Sequence, residues 1–115
     1  MDKQNALNAL SALSQDTRLE VFRLLVRNSP ESLAAGDIAT QLGVVQNTMS
    51  AHLAILSRAG LTTSERSGRV VKYSANFAEM RALLTFLLQD CCQGAAEICD
   101  PLFALTACKL PKENQ

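Results

Sequence analysis

Apolar residues recur at helical spacing in five stretches of the chain, and only one intervening stretch switches to strand-like alternation. Leu7, Leu10 and Leu13, with alanines between them, predict a first helix. A second begins near Asp16 and carries Leu19, Val21, Phe22, Leu24, Leu25 and Val26. Asn28-Ser29-Pro30 ends it, because proline disfavours helical geometry in the residue before it. A third, short helix is predicted from about Ser32 to Leu42, with Gly43 as its stop. The fourth runs from about Gln46 to Ala59 and stops at Gly60. On it Met49, Leu53 and Leu56 share one face by i, i+4, i+7 spacing, while Asn47, Ser50, Ala51, Ala54 and Arg58 fall opposite. That outward face is small and polar, as a helix entering a groove requires. Leu61 to Glu65 and Val70 to Ser74 read as two short strands, and Arg66-Ser67-Gly68-Arg69 between them is a hairpin signal. A last long helix spans about Phe77 to Gln89. Its Met80, Leu83, Leu84, Leu87 and Leu88 exceed what one face of so small a domain can bury, which predicts a partner surface.

Two short helices around a glycine-containing turn, followed by a basic-tipped hairpin, form the winged helix-turn-helix plan. The predicted fold class is therefore mostly α with a small β-hairpin: four helices, the hairpin and a fifth helix. With 115 residues the chain has room for one domain, expected over 1–110, with 111–115 as a disordered tail. Apolar residues make up 48% of it, so a real core is possible, filled mainly by Leu, Val, Ile and Ala. A body this small gains stability by dimerising.

Zero net charge argues against a general polyanion binder. The distribution is more informative. Residues 45–74 hold Arg58, Arg66, Arg69 and Lys72 against the single acid Glu65, a modest basic patch of the kind a nucleic-acid contact uses. The N-terminus is polar, and no run approaches the roughly 20 apolar residues of a membrane span, so no membrane association and a cytoplasmic location are expected.

Cys91, Cys92 and Cys99 lie just past the last apolar helix, with Cys108 further on. In a reducing cytosol such residues are thiols rather than structural disulfides. Thiolate sulfur is soft and selects thiophilic ions over calcium or magnesium. In a continuous helix Cys92 and Cys99 would stand roughly 10 Å apart at about 1.5 Å per residue. Three sulfurs on one ion must each approach to roughly 2.3 Å. A shared site therefore requires the helix to end between them, and Gly94 is placed to let it. Binding by thiolate also releases protons, so uptake weakens in acid.

Several segments together carry a resemblance to a known family. They are Asp16-Thr17-Arg18-Leu19, Asp37-Ile38-Ala39, Val45-Gln46-Asn47-Thr48-Met49-Ser50-Ala51-His52-Leu53, Ala59-Gly60-Leu61, and the wing Gly68-Arg69 with Tyr73. In that order, over about residues 5–90, they resemble the ArsR/SmtB family of bacterial metal-responsive repressors. The resemblance implies a homodimer, joined through its first and last helices, that binds double-stranded operator DNA and leaves it when an inducer binds. Gln46, Asn47 and Ser50 can then hydrogen-bond base edges or phosphates. Thr48 can donate to a phosphate near the helix end. Arg69 on the wing can enter a minor groove or hold a phosphate, and Lys72 is the nearer phosphate candidate. Set against this, Ser and Thr at a helix start are commonly caps. His52, the sole histidine, borders the apolar face, which suits packing or one local hydrogen bond.

The family's founding third-helix pattern, Glu-Leu-Cys-Val-Cys-Asp-Leu, is broken here, since Ala34 and Gly36 stand at its sulfur positions. The zinc-sensing pattern needs histidine on the last helix, and none is present. The pair Cys91-Cys92 with Cys99 instead resembles the family's variant arsenic-responsive members. Three thiolates without a fourth ligand suit As(III), or Sb(III), whose lone pair fills the remaining position, whereas zinc asks for a fourth ligand. The expected function is a metalloid-released repressor. The alternative is a repressor whose thiols respond to oxidation or persulfidation. An enzyme is not expected: Cys-x-x-Cys, a histidine beside a cysteine and a phosphate-cradling glycine loop are all missing from the sequence. A dimerisation module without DNA binding is the remaining reading.

Overall fold

Alanine, not leucine, lines the inner face of the first helix. In the computed structural model, which describes residues 1–89, α1 (Lys3–Leu13) buries Ala6, Ala9 and Ala12. Leu7 and Leu10 remain 49% and 40% exposed. The small inner side chains let α1 lie close against α2 (Asp16–Asn28), α4 (Gln46–Arg58) and α5 (Phe77–Leu88). Between them the core is filled by Val21, Phe22, Leu24 and Leu25 of α2, Met49, Leu53 and Leu56 of α4, and Leu83 of α5. Ile38 and Ala39 of α3 (Ala35–Leu42) complete it beside Leu61.

Both helices of the helix-turn-helix end on the device their glycines predict. At the end of α3, Gly43 adopts φ 67°, ψ 37°, and the Val44 N–H reaches back to the Ala39 carbonyl at 2.9 Å. At the end of α4, the Leu61 N–H bonds the Leu56 carbonyl at 3.0 Å across Gly60, whose φ is 83°. These are Schellman closures, which need a left-handed residue that L side chains adopt at a cost. Leu56 and Leu61 are fully buried, the apolar contact that accompanies the motif.

The third helix is shorter than its pattern predicts. It begins at Ala35, because Leu33–Ala34 form a strand, β1, antiparallel to β3 (Val70–Ala75). The pairing partners are Tyr73 and Lys72, far along the chain, so local spacing carries no trace of it. The winged helix-turn-helix fold stands as predicted, with a three-stranded sheet of order β1-β3-β2 in place of a bare hairpin. Strand β2 (Thr62–Ser67) pairs with β3 from Thr62↔Ala75 to Ser67↔Val70. The hairpin loop is thus only Gly68-Arg69, and Arg66 and Ser67, expected in the link, belong to the strand. Thr62 and Ala75 are buried, so that end of the hairpin is fixed to the core while the tip projects.

One residue fastens the wing, the end of α4 and the start of α5 together. Asn76 accepts the Glu79 N–H as N-cap of α5, at 3.3 Å. Its amide also donates to the Gly60 carbonyl at 2.9 Å, and its backbone N–H to the Leu61 carbonyl at 2.9 Å. Among the described residues no helix is long and apolar enough to cross a membrane. Cys91, Cys92, Cys99, Cys108, Gly94 and the expected tail 111–115 lie outside the described residues, as does the end of the expected 1–110 domain. Replacing Asn76 by Ala is expected to cost about 1–2 kcal/mol in urea unfolding, from removal of the cap and the orphaned Gly60 carbonyl. Asn76→Asp keeps the cap acceptor but not the donor, and should fall between the two.

Candidate nucleic-acid interface

The start of α4 is left open. Its N-cap, Val45, has extended geometry (φ −60°, ψ 140°) but no side chain that can accept a hydrogen bond, and the first turn holds no acid. The helix begins with Met49 N–H to the Val45 carbonyl, so the N–H groups of the preceding residues have no intrahelical acceptor. By contrast α1, α2 and α5 are closed by the side chains of Asp2, Gln15 and Asn76. A free helix start carries a partial positive charge and favours an anion.

Gln46, Asn47, Thr48 and Ser50 are all exposed, whereas Met49 among them is buried. Neither hydroxyl is the helix cap, which removes the alternative reading of Thr48 and Ser50 as caps. Asn47, Ser50, Ala51, Ala54 and Arg58 form the outward face predicted from spacing, and every one is exposed. The buried triad on the opposite side makes this orientation obligatory: rotating α4 outward would expose Met49, Leu53 and Leu56, each 0% accessible.

On the wing, Arg69 sits in the two-residue loop and is exposed. Lys72 is placed differently from a tip residue. It lies in the central strand, opposite Glu65 on one side and Ala34 on the other. A cross-strand acid partly offsets its charge. Arg66 was not among the expected contacts, yet it is exposed at the end of β2, opposite Val71 and near the tip. Only the register reveals this, since the sequence signal there was a loop. Among the described residues the one ion pair joins Arg23 and Glu20. Arg58, Arg66, Arg69 and Lys72 are thus unpaired within that set and open to phosphates.

His52 turns away from this surface. It is half-buried, and its Nδ1 lies 3.4 Å from Nη1 of Arg18 on α2, a hydrogen bond but not a local one. Among the described residues no group of His, Cys, Asp and Glu could hold a metal ion, and the thiol cluster is not part of that set. Helices α1 and α5 also expose large apolar side chains: Leu7 and Leu10 on α1, and Phe77 (41%) and Leu87 (49%) on α5.

A helix-turn-helix domain family model matches residues 13–65. The transcriptional activator HlyU of Vibrio cholerae is 30% identical over 96 residues, covering 82% of this chain and 86% of HlyU. The transcriptional repressor SdpR of Bacillus subtilis is 30% identical over 81 residues, covering 70% of this chain and 87% of SdpR. Among solved structures, an ArsR-like transcriptional regulator from Rhodococcus sp. RHA1 has a TM-score of 0.65 and 28% identity, covering 90% of this chain and 92% of that one. Reduced HlyU from Vibrio cholerae has a TM-score of 0.60 and 28% identity, covering 75% and 87%.

Two substitutions separate positioning from reading. Arg69→Ala is expected to weaken binding to all duplexes alike and to lower the slope of log K against log salt by about 0.9 for each phosphate no longer neutralised. Asn47→Ala should leave the slope unchanged and cost about 1–3 kcal/mol of discrimination at one base pair. Fluorescence anisotropy across a salt series measures both.

Proposed function

The chain belongs to the ArsR/SmtB family of winged helix-turn-helix transcription regulators, and from that premise we propose that it is a dimeric, metalloid-responsive repressor. In this reading two protomers join through α1 and α5 and place two copies of α4 in successive major grooves of an operator. As(III), or Sb(III), then binds the thiolates of Cys91, Cys92 and Cys99 and releases the DNA.

The observation that carries the reading is the outward apolar face of α1 and α5, directly followed in sequence by the thiols. Leu7, Leu10, Phe77 and Leu87 are 40–49% exposed, so burying what remains would gain each roughly half of the 1.5–3 kcal/mol of a full transfer, about 0.6–1.5 kcal/mol. A copy of the same face buries them by two-fold symmetry. Helix α5 ends at Leu88 with Gln89 as its C-cap, so Cys91 and Cys92 follow the helix that would form the dimer contact. An ion drawn onto thiols there changes the end of an interface helix. Two recognition helices spaced for half-sites about one turn of DNA apart tolerate little such change. A coupling of about 1–3 kcal/mol lowers operator affinity about 5- to 150-fold.

A thiol-redox repressor is the second reading, and one observation favours it: a relative of similar fold is distinguished as reduced HlyU. Oxidation needs two well-placed sulfurs, whereas the metalloid site needs three.

Arsenite titrated into the protein–operator complex under reducing conditions should release DNA, and Cys91→Ser, Cys92→Ser and Cys99→Ser should each stay bound. Release from the triple variant would overturn the metalloid site; release by a mild thiol oxidant that ignores Cys99 would favour the redox reading. Leu10→Glu is expected to shift the protein to monomer in sedimentation analysis and to weaken operator binding with it.

A further inference from the structure

Arg18 and His52 belong to two separate motifs, and neither faces the exposed recognition surface. The structure joins them. Arg18 lies in the first turn of α2, where the Gln15 side chain accepts its backbone N–H at 2.8 Å. Its Nε donates to the Ala12 carbonyl in the last turn of α1, at 2.7 Å. That turn has no basic residue of its own, so the guanidinium supplies both a donor for an orphan carbonyl and a cation at a negative helix end. Nη1 of the same side chain meets Nδ1 of His52 on α4 at 3.4 Å. Among the described residues the one ion pair, Arg23–Glu20, does not involve Arg18. Its fork is used to bridge two helices through neutral acceptors.

We infer that Arg18 is a positioning residue for DNA recognition: it sets the angle of α4 about its own axis against α1. This rests on the operator-binding reading of α4. Guanidinium has donors only, so His52 must accept on Nδ1 and carry its ring proton on Nε2. Met49, Leu53 and Leu56 fix α4 to the core, but apolar contact is non-directional and tolerates small rotations. His52 lies one turn from Leu56 and Met49 on the edge of that buried face, where a hydrogen bond resists rotation. The end of α1 is therefore tied through the Ala12 carbonyl, the guanidinium and the imidazole to the helix carrying Gln46, Asn47 and Ser50. Lysine cannot replace arginine here, since a single ammonium lacks the rigid fork that spans two acceptors.

The test uses a duplex selected by the wild-type protein from a randomised pool, with each variant shown folded by circular dichroism. Arg18→Lys should weaken binding about 2- to 30-fold with an unchanged salt slope, since the same phosphates remain neutralised. His52→Phe should do the same, and the double variant should be little worse than either single one. His52→Asn, whose amide oxygen stands near the place of Nδ1, should retain most of the affinity. A salt slope reduced by about 0.9 in the charge-removing variant Arg18→Gln would instead make Arg18 a phosphate contact. Independent losses in the double variant would overturn the link as well. Because the chain holds a single histidine, ¹⁵N spectra of its imidazole read the tie without DNA. Wild type should show the Nε2–H tautomer, and Arg18→Lys a mixture of tautomers. A wild-type ring protonated on Nδ1 would refute the inference even where operator binding holds. Absence of any selected duplex would refute the operator reading alone.

Discussion

The recognition helix can present a bare polar face only because its other face is wholly spent on the core. Met49, Leu53 and Leu56 are 0% accessible, and each contributes about 1.5–3 kcal/mol by leaving water. No polar contact of α4 matches that sum, since a single hydrogen bond nets about 0.5–1.5 kcal/mol. Burial decides that α4 packs, and on which side. The polar contacts decide where along and around that packing it comes to rest. The Asn76 amide on Gly60 holds its C-terminal turn, and Arg18 on His52 holds its flank. The N-terminus is left with no side-chain contact of this kind, at Val45, where the DNA would arrive.

The same division of labour explains α1. A helix that packed leucines inward would stand farther from α2, α4 and α5. Ala6, Ala9 and Ala12 allow close approach, and Leu7 and Leu10 are thereby turned out. The consequence is a protomer whose best apolar side chains on that helix remain in solvent. Helix α5 behaves alike, with Leu83 its only buried residue and Phe77 and Leu87 exposed. Two neighbouring helices that withhold apolar area from their own core suit the proposed contact with a second copy, which would lie next to the thiols in sequence.

Much of this was legible in the residue pattern because it is local. The i, i+4, i+7 spacing of Met49, Leu53 and Leu56 marked the buried face of α4, and Gly43 and Gly60 marked both helix ends. Four features were not legible, each because it depends on a partner distant in sequence. Leu33–Ala34 are a strand only because β3 offers an edge, and without it the same residues read as helix. The outward turn of Leu7 and Leu10 follows from which side of α1 meets three other helices, and alanine and leucine fit either side of a helical wheel equally well. Arg66 moved from loop to strand with the hairpin register, opposite Val71 and short of the Gly68-Arg69 tip, and the same register places Lys72 opposite Glu65. The bridge between Arg18 and His52 spans two motifs that sequence spacing alone treats as unrelated.

Charge sets the scale on which such a regulator can be switched. Long-range attraction to DNA grows with the number of phosphates neutralised, and each contact steepens the salt dependence. Here the exposed cations near the recognition surface are few, Arg58, Arg66, Arg69 and Lys72, and the last faces an acid across the sheet. The chain as a whole is neutral. In the proposed dimer, with so few phosphates to neutralise, most of the operator affinity would come from two recognition helices engaging together. In that reading, an inducer with a coupling of only about 1–3 kcal/mol would empty an operator held in that way. A strongly basic protomer would need more, because it would remain on DNA through phosphates even with its helices out of register. In the proposed dimer, low net charge and dependence on dimer geometry would belong together: the weaker the uniform attraction, the more completely a change in the spacing of the two α4 helices would control binding.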